Sequence, residues 1–248
     1  MQPVVVKVSG HELDDAQFLA DFAQTIAAMN QPVIVVHGGG REISELQQKM
    51  GIEPRYADGL RITDAASLAL VEMVLCGVVN TRLVRLLVNA GVEALGMSGV
   101  DRGLVRATKM EHPQQDMGFT GEVASVRGDV LRDLLASGVT PVIAPICLGE
   151  DSAYNVNADH VAGAVAAAVD AERVVFLTNV PGVLVNNAVV PELTPSTCEA
   201  LVKNGTIFGG MIPKVRTALS ALDHGVTQAV ITNLEGLRIG GGTVFQRM

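Results

Sequence analysis

Six short runs of β-branched and other apolar residues recur along the chain and constrain its fold class: Val4–Val8, Val33–His37, Val92–Met97, Val142–Ile146, Val174–Thr178 and Ala229–Thr232. Most are continuous rather than alternating, the pattern of strands covered on both faces. Stretches with helical spacing lie between them. Phe18, Leu19, Phe22, Ile26 and Met29 mark Asp15–Met29 as an amphipathic helix. Asp64 is placed to cap a second helix through Met73 and Leu75, with Gly77 expected to break it before Asn80–Asn89. Asn157-Ala158-Asp159 opens an Ala-rich helix to Val169, and Pro213 sits where a first-turn proline is tolerated. This alternation predicts an α/β fold, with a mainly parallel central sheet sandwiched by helices.

The stretch from Gly103 to Arg127 is rich in Gly, Pro and polar residues and departs from that rhythm, so it reads as hairpins or a lid-like insertion. No Pro- or Ser-rich linker divides the chain. Its 248 residues are therefore expected to form one domain with two lobes, approximately 1–150 and 151–248.

Composition excludes several classes. An apolar fraction of 48% with 18% charged residues argues against disorder, and a net charge of −8 argues against a general nucleic-acid binder. No basic, apolar leader precedes Val4, and no apolar run reaches the roughly 18 residues of a spanning helix, so a cytoplasmic protein is expected. Cys76, Cys147 and Cys198 are odd in number and set among apolar residues, and they read as buried free thiols. There is no P-loop and no Gly-x-Gly-x-x-Gly fingerprint. His11-Glu12 lacks the second His of a zincin helix, and Gly96-Met97-Ser98-Gly99 fails as a nucleophile elbow at Val100.

What remains is a set of Gly- and Lys-bearing turns at strand ends. Val33–His37 runs straight into Gly38-Gly39-Gly40, and a helix follows. Three glycines let backbone N–H groups approach an anion at a helix terminus, although a plain tight turn explains them equally well. Lys7 follows three valines in what should be the central sheet, where a buried ammonium needs an anionic partner. Lys214 stands at the start of a helix, where the dipole disfavours a cation. Asn155-Val156-Asn157-Ala158-Asp159 offers two amides and a carboxylate able to bridge lysines, or simply a helix cap. Arg61, in Gly59-Leu60-Arg61-Ile62-Thr63-Asp64, supplies a guanidinium fork suited to a carboxylate. Thr178-Asn179-Val180-Pro181-Gly182 ends another strand in a turn able to border a nucleotide.

In this order, with Lys7-Val8-Ser9-Gly10 at the front and Gly210-Met211-Ile212-Pro213-Lys214 at the back, these pieces resemble the amino acid kinase superfamily, and within it the N-acetylglutamate kinases. The resemblance implies ATP-dependent phosphorylation of the side-chain carboxylate of N-acetyl-L-glutamate, a step toward arginine, with Mg²⁺ accompanying ATP. It implies that Lys7 and Lys214 contact the phosphates and that Asp159 orients both lysines. Ser9, Gly10, Gly38, Gly39 and Gly40 would surround the phosphates, and Gly39, Gly40, Arg61, Asn155 and Asn157 the acetylated amino acid. Thr178, Asn179 and Gly182 would border the nucleotide. The first lobe would hold the substrate and the subunit contact, the second the nucleotide. Ser9 replaces a glycine of the usual first loop, and Asn179 stands where aspartate is common.

Two other readings share much of this pattern: a sibling kinase acting on carrier-bound aminoadipate or glutamate, and a catalytically silent amino-acid-binding homologue. The retention of Lys7, Asp159 and Lys214 counts against the second. The resemblance also implies a homodimer. Its contact is expected on the helix face carrying Leu68, Val71 and Leu75, a spacing that ordinary core packing explains at least as well, and only Met1, Gln2 and Pro3 precede Val4, so feedback by arginine is not expected.

Overall fold

The computed structural model describes residues 1–8 and 12–247. In chain order the elements are β1 (Val4–Val8), α1 (Ala16–Ala27), β2 (Val33–His37), α2 (Gly40–Lys49), β3 (Arg55–Ala57), β4 (Leu60–Ile62), α3 (Ala65–Glu72) and α4 (Asn80–Asn89). Next come β5 (Ala94–Ser98), β6 (Val105–Lys109), β7 (Thr120–Val126), α5 (Gly128–Ala136), β8 (Thr140–Ala144), β9 (Ile146–Leu148), β10 (Ala153–Val156) and α6 (Ala158–Ala168). The remainder is β11 (Arg173–Leu177), β12 (Leu184–Val185), β13 (Ala188–Val189), β14 (Glu192–Leu193), α7 (Pro195–Lys203), α8 (Met211–Asp223), β15 (Gln228–Thr232), α9 (Leu234–Ile239) and β16 (Thr243–Gln246).

An eight-stranded sheet runs β14-β16-β15-β11-β1-β2-β8-β5, parallel except between β15 and β16. Side chains alternate across it. Val5, Ile34, Val36 and Ile143 pack on one face with Val161, Val165 and Val215 of α6 and α8. Val4, Val6, Val33, Val35 and Val142 pack on the other, with Phe22 of α1 and Leu83 and Leu87 of α4. Burial on both faces accounts for the continuous apolar runs seen in sequence, and the sandwiched parallel sheet agrees with expectation.

Val142–Ile146 is not one strand. Pro145 has no N–H to continue the ladder, so the chain leaves the main sheet at Ala144 and resumes as β9. Gly103–Arg127 contains the hairpin of β6 and β7, which closes a small barrel with β9 and β10.

The expected break at Gly77 is absent. Asp64 caps α3 by accepting from the Ser67 N–H at 2.8 Å, but α3 and α4 join through a π-helical segment, Met73–Val79, into one helix from Ala65 to Asn89. A mid-helix glycine costs about 1 kcal/mol, a small penalty beside the burial of Val74, Leu75 and Val79, each 2% exposed or less. By length and composition this helix could cross a membrane, yet half of its most apolar window is buried within the fold, as in a core helix. Leu68, Val71 and Leu75 belong to that buried side and do not form an exposed contact face. Cys147 and Cys198 are buried free thiols as expected, whereas Cys76 is exposed on the helix.

Candidate active site

In an open parallel sheet, ligands bind beyond the carboxyl ends of the strands, where the order reverses. Here β1 lies between β2 and β11, and the ends of these three strands present Lys7, His37-Gly38 and Thr178. Lys7 pairs in register with Phe176 and Val36 and shares the face of Val5, toward α6 and α8. Its side chain is 12% exposed, and its ammonium lies 2.8 Å from Asp159 Oδ1 at the start of α6. The half-buried lysine thus has an anionic partner. Asn157 caps α6 by accepting from the Asp159 N–H at 2.8 Å, so the cap and the lysine partner are one local device. Thr217 of α8 donates to the other Asp159 oxygen at 3.4 Å.

Lys214 sits in the first turn of α8. Its ammonium donates to Thr178 Oγ1 and, at 3.4 Å, to Asn179 Oδ1. Burial pushes its pKa below the usual lysine value; Lys7 pushes the same way, opposed by Glu12 and Asp159. Asp159, expected to orient both lysines, contacts Lys7 directly and does not contact Lys214. Lys214 is held by Thr178 and Asn179, and reaches Asp159 only through its longer-range field. Lys7, Asp159, Thr178, Lys214 and Thr217 line one small cavity.

A second cleft, about 240 Å³, adjoins it at the α6 N-terminus, lined by Gly38, Gly39, Gly40, Arg61, Asn155 and Asn157 among others. Arg61 is 9% exposed, and its guanidinium donates to Gln47 Oε1, to Ser44 Oγ at 2.8 Å and to Gly40 O at 2.9 Å. The Tyr56 ring lies 4.9 Å from its centre. Among the described residues Arg61 makes no ion pair, and burial lowers its pKa from the ordinary arginine value. A buried cation with only neutral partners has the chemistry to take a carboxylate.

Asn155 donates to Thr63 Oγ1 at 3.1 Å, and Thr120 donates to Arg61 O at 2.5 Å, which ties the arginine strand to the barrel. Sequence reading missed Ser44, Gln47 and Tyr56. The signal was available for two of them, since Gly40, Ser44 and Gln47 share one face of α2 at spacings of four and three. Tyr56 pairs across the short hairpin with Arg61 and carried no pattern.

Gly182, at φ 154°, packs where a Cβ would meet Thr243 Oγ1 at 2.7 Å, so it serves close packing as well as any nucleotide. Ser9 and Gly10 lie outside the described residues. A larger cleft, about 630 Å³, runs along β7, α6 and α8 and touches the lysine cluster only through Asp159 and Thr217. Its lining contains no Lys or Arg, so it is poorly suited to a polyphosphate.

The model of the amino acid kinase family matches residues 2–233. The chain belongs to the amino acid kinase family. Within it, the chain is 58% identical to the acetylglutamate kinase of Roseiflexus sp. (strain RS-1) over 242 residues, 98% of this chain and 93% of that protein. It is 45% identical to the acetylglutamate kinase of Methanopyrus kandleri, over 98% of this chain and 99% of the other. Among solved structures it resembles smu.665 from Streptococcus mutans UA159, with a TM-score of 0.82, 28% identity and 99% coverage of both chains. In this amino acid kinase chain the lysine pair, the bridging aspartate and the glycine turn stand around the carboxyl ends of β1, β2 and β11.

Proposed function

We propose that the chain transfers the γ-phosphoryl group of ATP to the side-chain carboxylate of N-acetyl-L-glutamate, giving the acyl phosphate and ADP on the route to arginine. One observation carries this reading: a buried Arg61 with no anionic partner among the described residues faces a cleft that meets the Lys7–Asp159–Lys214 cluster at the head of α6. The identity to acetylglutamate kinases supports the choice of acyl acceptor.

No general base is required, because the attacking carboxylate is already ionised at neutral pH. Its oxygen forms the new bond to the γ-phosphorus as the bond to the β-phosphate bridging oxygen breaks, and the electron pair leaves on ADP. The obstacle is bringing an anion to a polyanion, so catalysis rests on positioning and charge neutralisation. Arg61 clamps the substrate α-carboxylate, and Asn155 and Asn157 border the acetylated amide. Gly38, Gly39 and Gly40 offer backbone donors to the phosphates. Lys7, fixed by Asp159, neutralises the transferring group, and Lys214 neutralises the charge that grows on the leaving group. Thr178, Asn179 and Gly182 border the nucleotide.

Among the described residues no group of three or more His, Cys, Asp and Glu could hold a metal. In this reading Mg²⁺ would accompany ATP and supply charge neutralisation at its phosphates.

In this reading residues 1–150 supply most of the substrate cleft, Asn155 and Asn157 reach in from the second lobe, and 151–248 carry the nucleotide. A homodimer would use the surface where Met73, Val78 and Val88 on the long helix and Leu95 on the edge strand β5 are exposed. Light scattering tests that contact. Hydroxylamine trapping of acyl phosphate, with N-acetylglutamate, glutamate and aminoadipate offered side by side, tests the activity. Turnover confined to aminoadipate or glutamate would refute it.

A further inference from the structure

We propose that His37 and Asn80 are positioning residues that set the orientation of the Gly38–Gly39 peptide, so that the Gly39 N–H is presented to the cleft. This rests on the reading that the glycine turn receives phosphate.

His37, the last residue of β2, is fully buried, and both of its ring nitrogens are engaged. Nδ1 lies 2.8 Å from Gly38 O, and Nε2 lies 3.1 Å from Asn80 Nδ2. Asn80 Nδ2 also lies 2.8 Å from Val142 O, which can only accept, so this atom is the donor end of the amide. Nε2 must then be the bare acceptor, and Nδ1 carries the proton given to Gly38 O. The geometry thus fixes the tautomer of a neutral imidazole. In a trans peptide the C=O and the following N–H point in opposite directions. Holding Gly38 O against His37 therefore directs the Gly39 N–H away from the ring. Gly38, Gly39 and Gly40 all line the cleft.

The π segment makes this contact part of a larger backing. A Cβ on Gly39 would lie 2.7 Å from Leu75 Cδ2 and 3.2 Å from Val79 Cγ2, both within that segment. Just beyond it, Arg82 pairs with Glu42 of α2 at 2.6 Å. One stretch of helix, Leu75 to Arg82, thus supports the turn and the first turn of α2, and the widened π turn sets the phase of Asn80 and Arg82. Burial and the nearby Arg82 charge, itself paired with Glu42, both act against an imidazolium at His37.

Two measurements test the proposal. Imidazole nitrogen correlation spectra of the wild-type protein, with His37 assigned by comparison to His37→Gln, should show the Nδ1–H tautomer and no imidazolium at pH 7. Asn80→Leu removes the donor. Gly96→Ala disturbs it from β5, because the added Cβ would run into Asn80 Oδ1. Both variants should lose about tenfold in kcat, with KM for N-acetylglutamate within about twofold, since the Arg61 clamp is untouched. An Nε2–H tautomer or an imidazolium at pH 7 would overturn the proposal, as would wild-type kcat in folded variants or a loss expressed in KM. Should neither variant fold, the tautomer decides. Failure of the wild type to phosphorylate N-acetylglutamate would instead refute the proposed activity and leave the tautomer test standing.

Discussion

Truncating Arg61 separates binding from chemistry. The guanidinium has five N–H donors, and three are committed, to Gln47, Ser44 and Gly40 O. The Nε–H and one Nη1–H remain on different edges, so a substrate carboxylate gains one charge-assisted bond along with the attraction of a buried charge. Charge-assisted hydrogen bonds contribute about 1.5–3 kcal/mol each. In a buried site that one bond lies at the upper end, about 3 kcal/mol. At 1.4 kcal/mol per decade this is a rise of about 10²-fold in KM for N-acetylglutamate, with kcat changed far less, because the α-carboxylate keeps its charge through the reaction. Arg61→Lys keeps the charge but has three donors against five, so it cannot hold Gln47, Ser44, Gly40 O and substrate together; a loss of more than about tenfold is expected. KM for ATP should stay near the wild-type value in both. The assay is acyl-phosphate trapping across a range of N-acetylglutamate concentrations. A KM within twofold of wild type in Arg61→Ala, or a loss confined to kcat, would refute the role.

Lys214→Ala should lower kcat by about 10²-fold or more with a smaller change in substrate KM, checked by the same trapping assay, because its charge is needed most as ADP departs. The depressed Lys214 pKa means its charge is lost below the usual lysine range, so kcat should show an alkaline limb there; in Lys214→Arg that limb should disappear. Asp159→Asn removes the carboxylate charge beside Lys7 and should lower kcat by about tenfold or more while the protein stays folded by circular dichroism. The His37 pKa is lowered from 6.5 to about 4, so the unfolded chain binds more protons across that window and stability falls with pH as it is traversed downward. At pH 5 the loss relative to pH 7 is about 2 kcal/mol from this group, and denaturant melts of wild type should show it, with His37→Gln flatter between the two pH values.

Much of the fold was legible because burial on both faces of a parallel sheet leaves an unbroken apolar run, as in Val4–Val6 and Val33–Val36. What local pattern did not reveal depends on tertiary context. Gly77 signals a helix end on its own, but the packing of Val74, Leu75 and Val79 carries the helix through it. Leu68, Val71 and Leu75 have the spacing of an amphipathic face, and sequence alone does not say whether core or a partner covers that face; here it is core. The site divides the same way. The lysines were conspicuous because each stood where a charge is costly, and both found polar partners. Arg61 was visible as a residue, but its cradle of Ser44, Gln47 and Tyr56 depends on how α2 packs beside a short hairpin. Asn80 gave no sign at all, since its contact with His37 spans 43 positions and relies on the π turn between them.

The most direct test of the central claim is phosphorus NMR of the wild-type protein with ATP, Mg²⁺ and N-acetylglutamate, without a trapping agent. The account predicts an acyl-phosphate resonance growing in step with ADP, and none when unacetylated glutamate is supplied. ADP and inorganic phosphate without an acyl-phosphate signal, or an equal signal from glutamate, would contradict it.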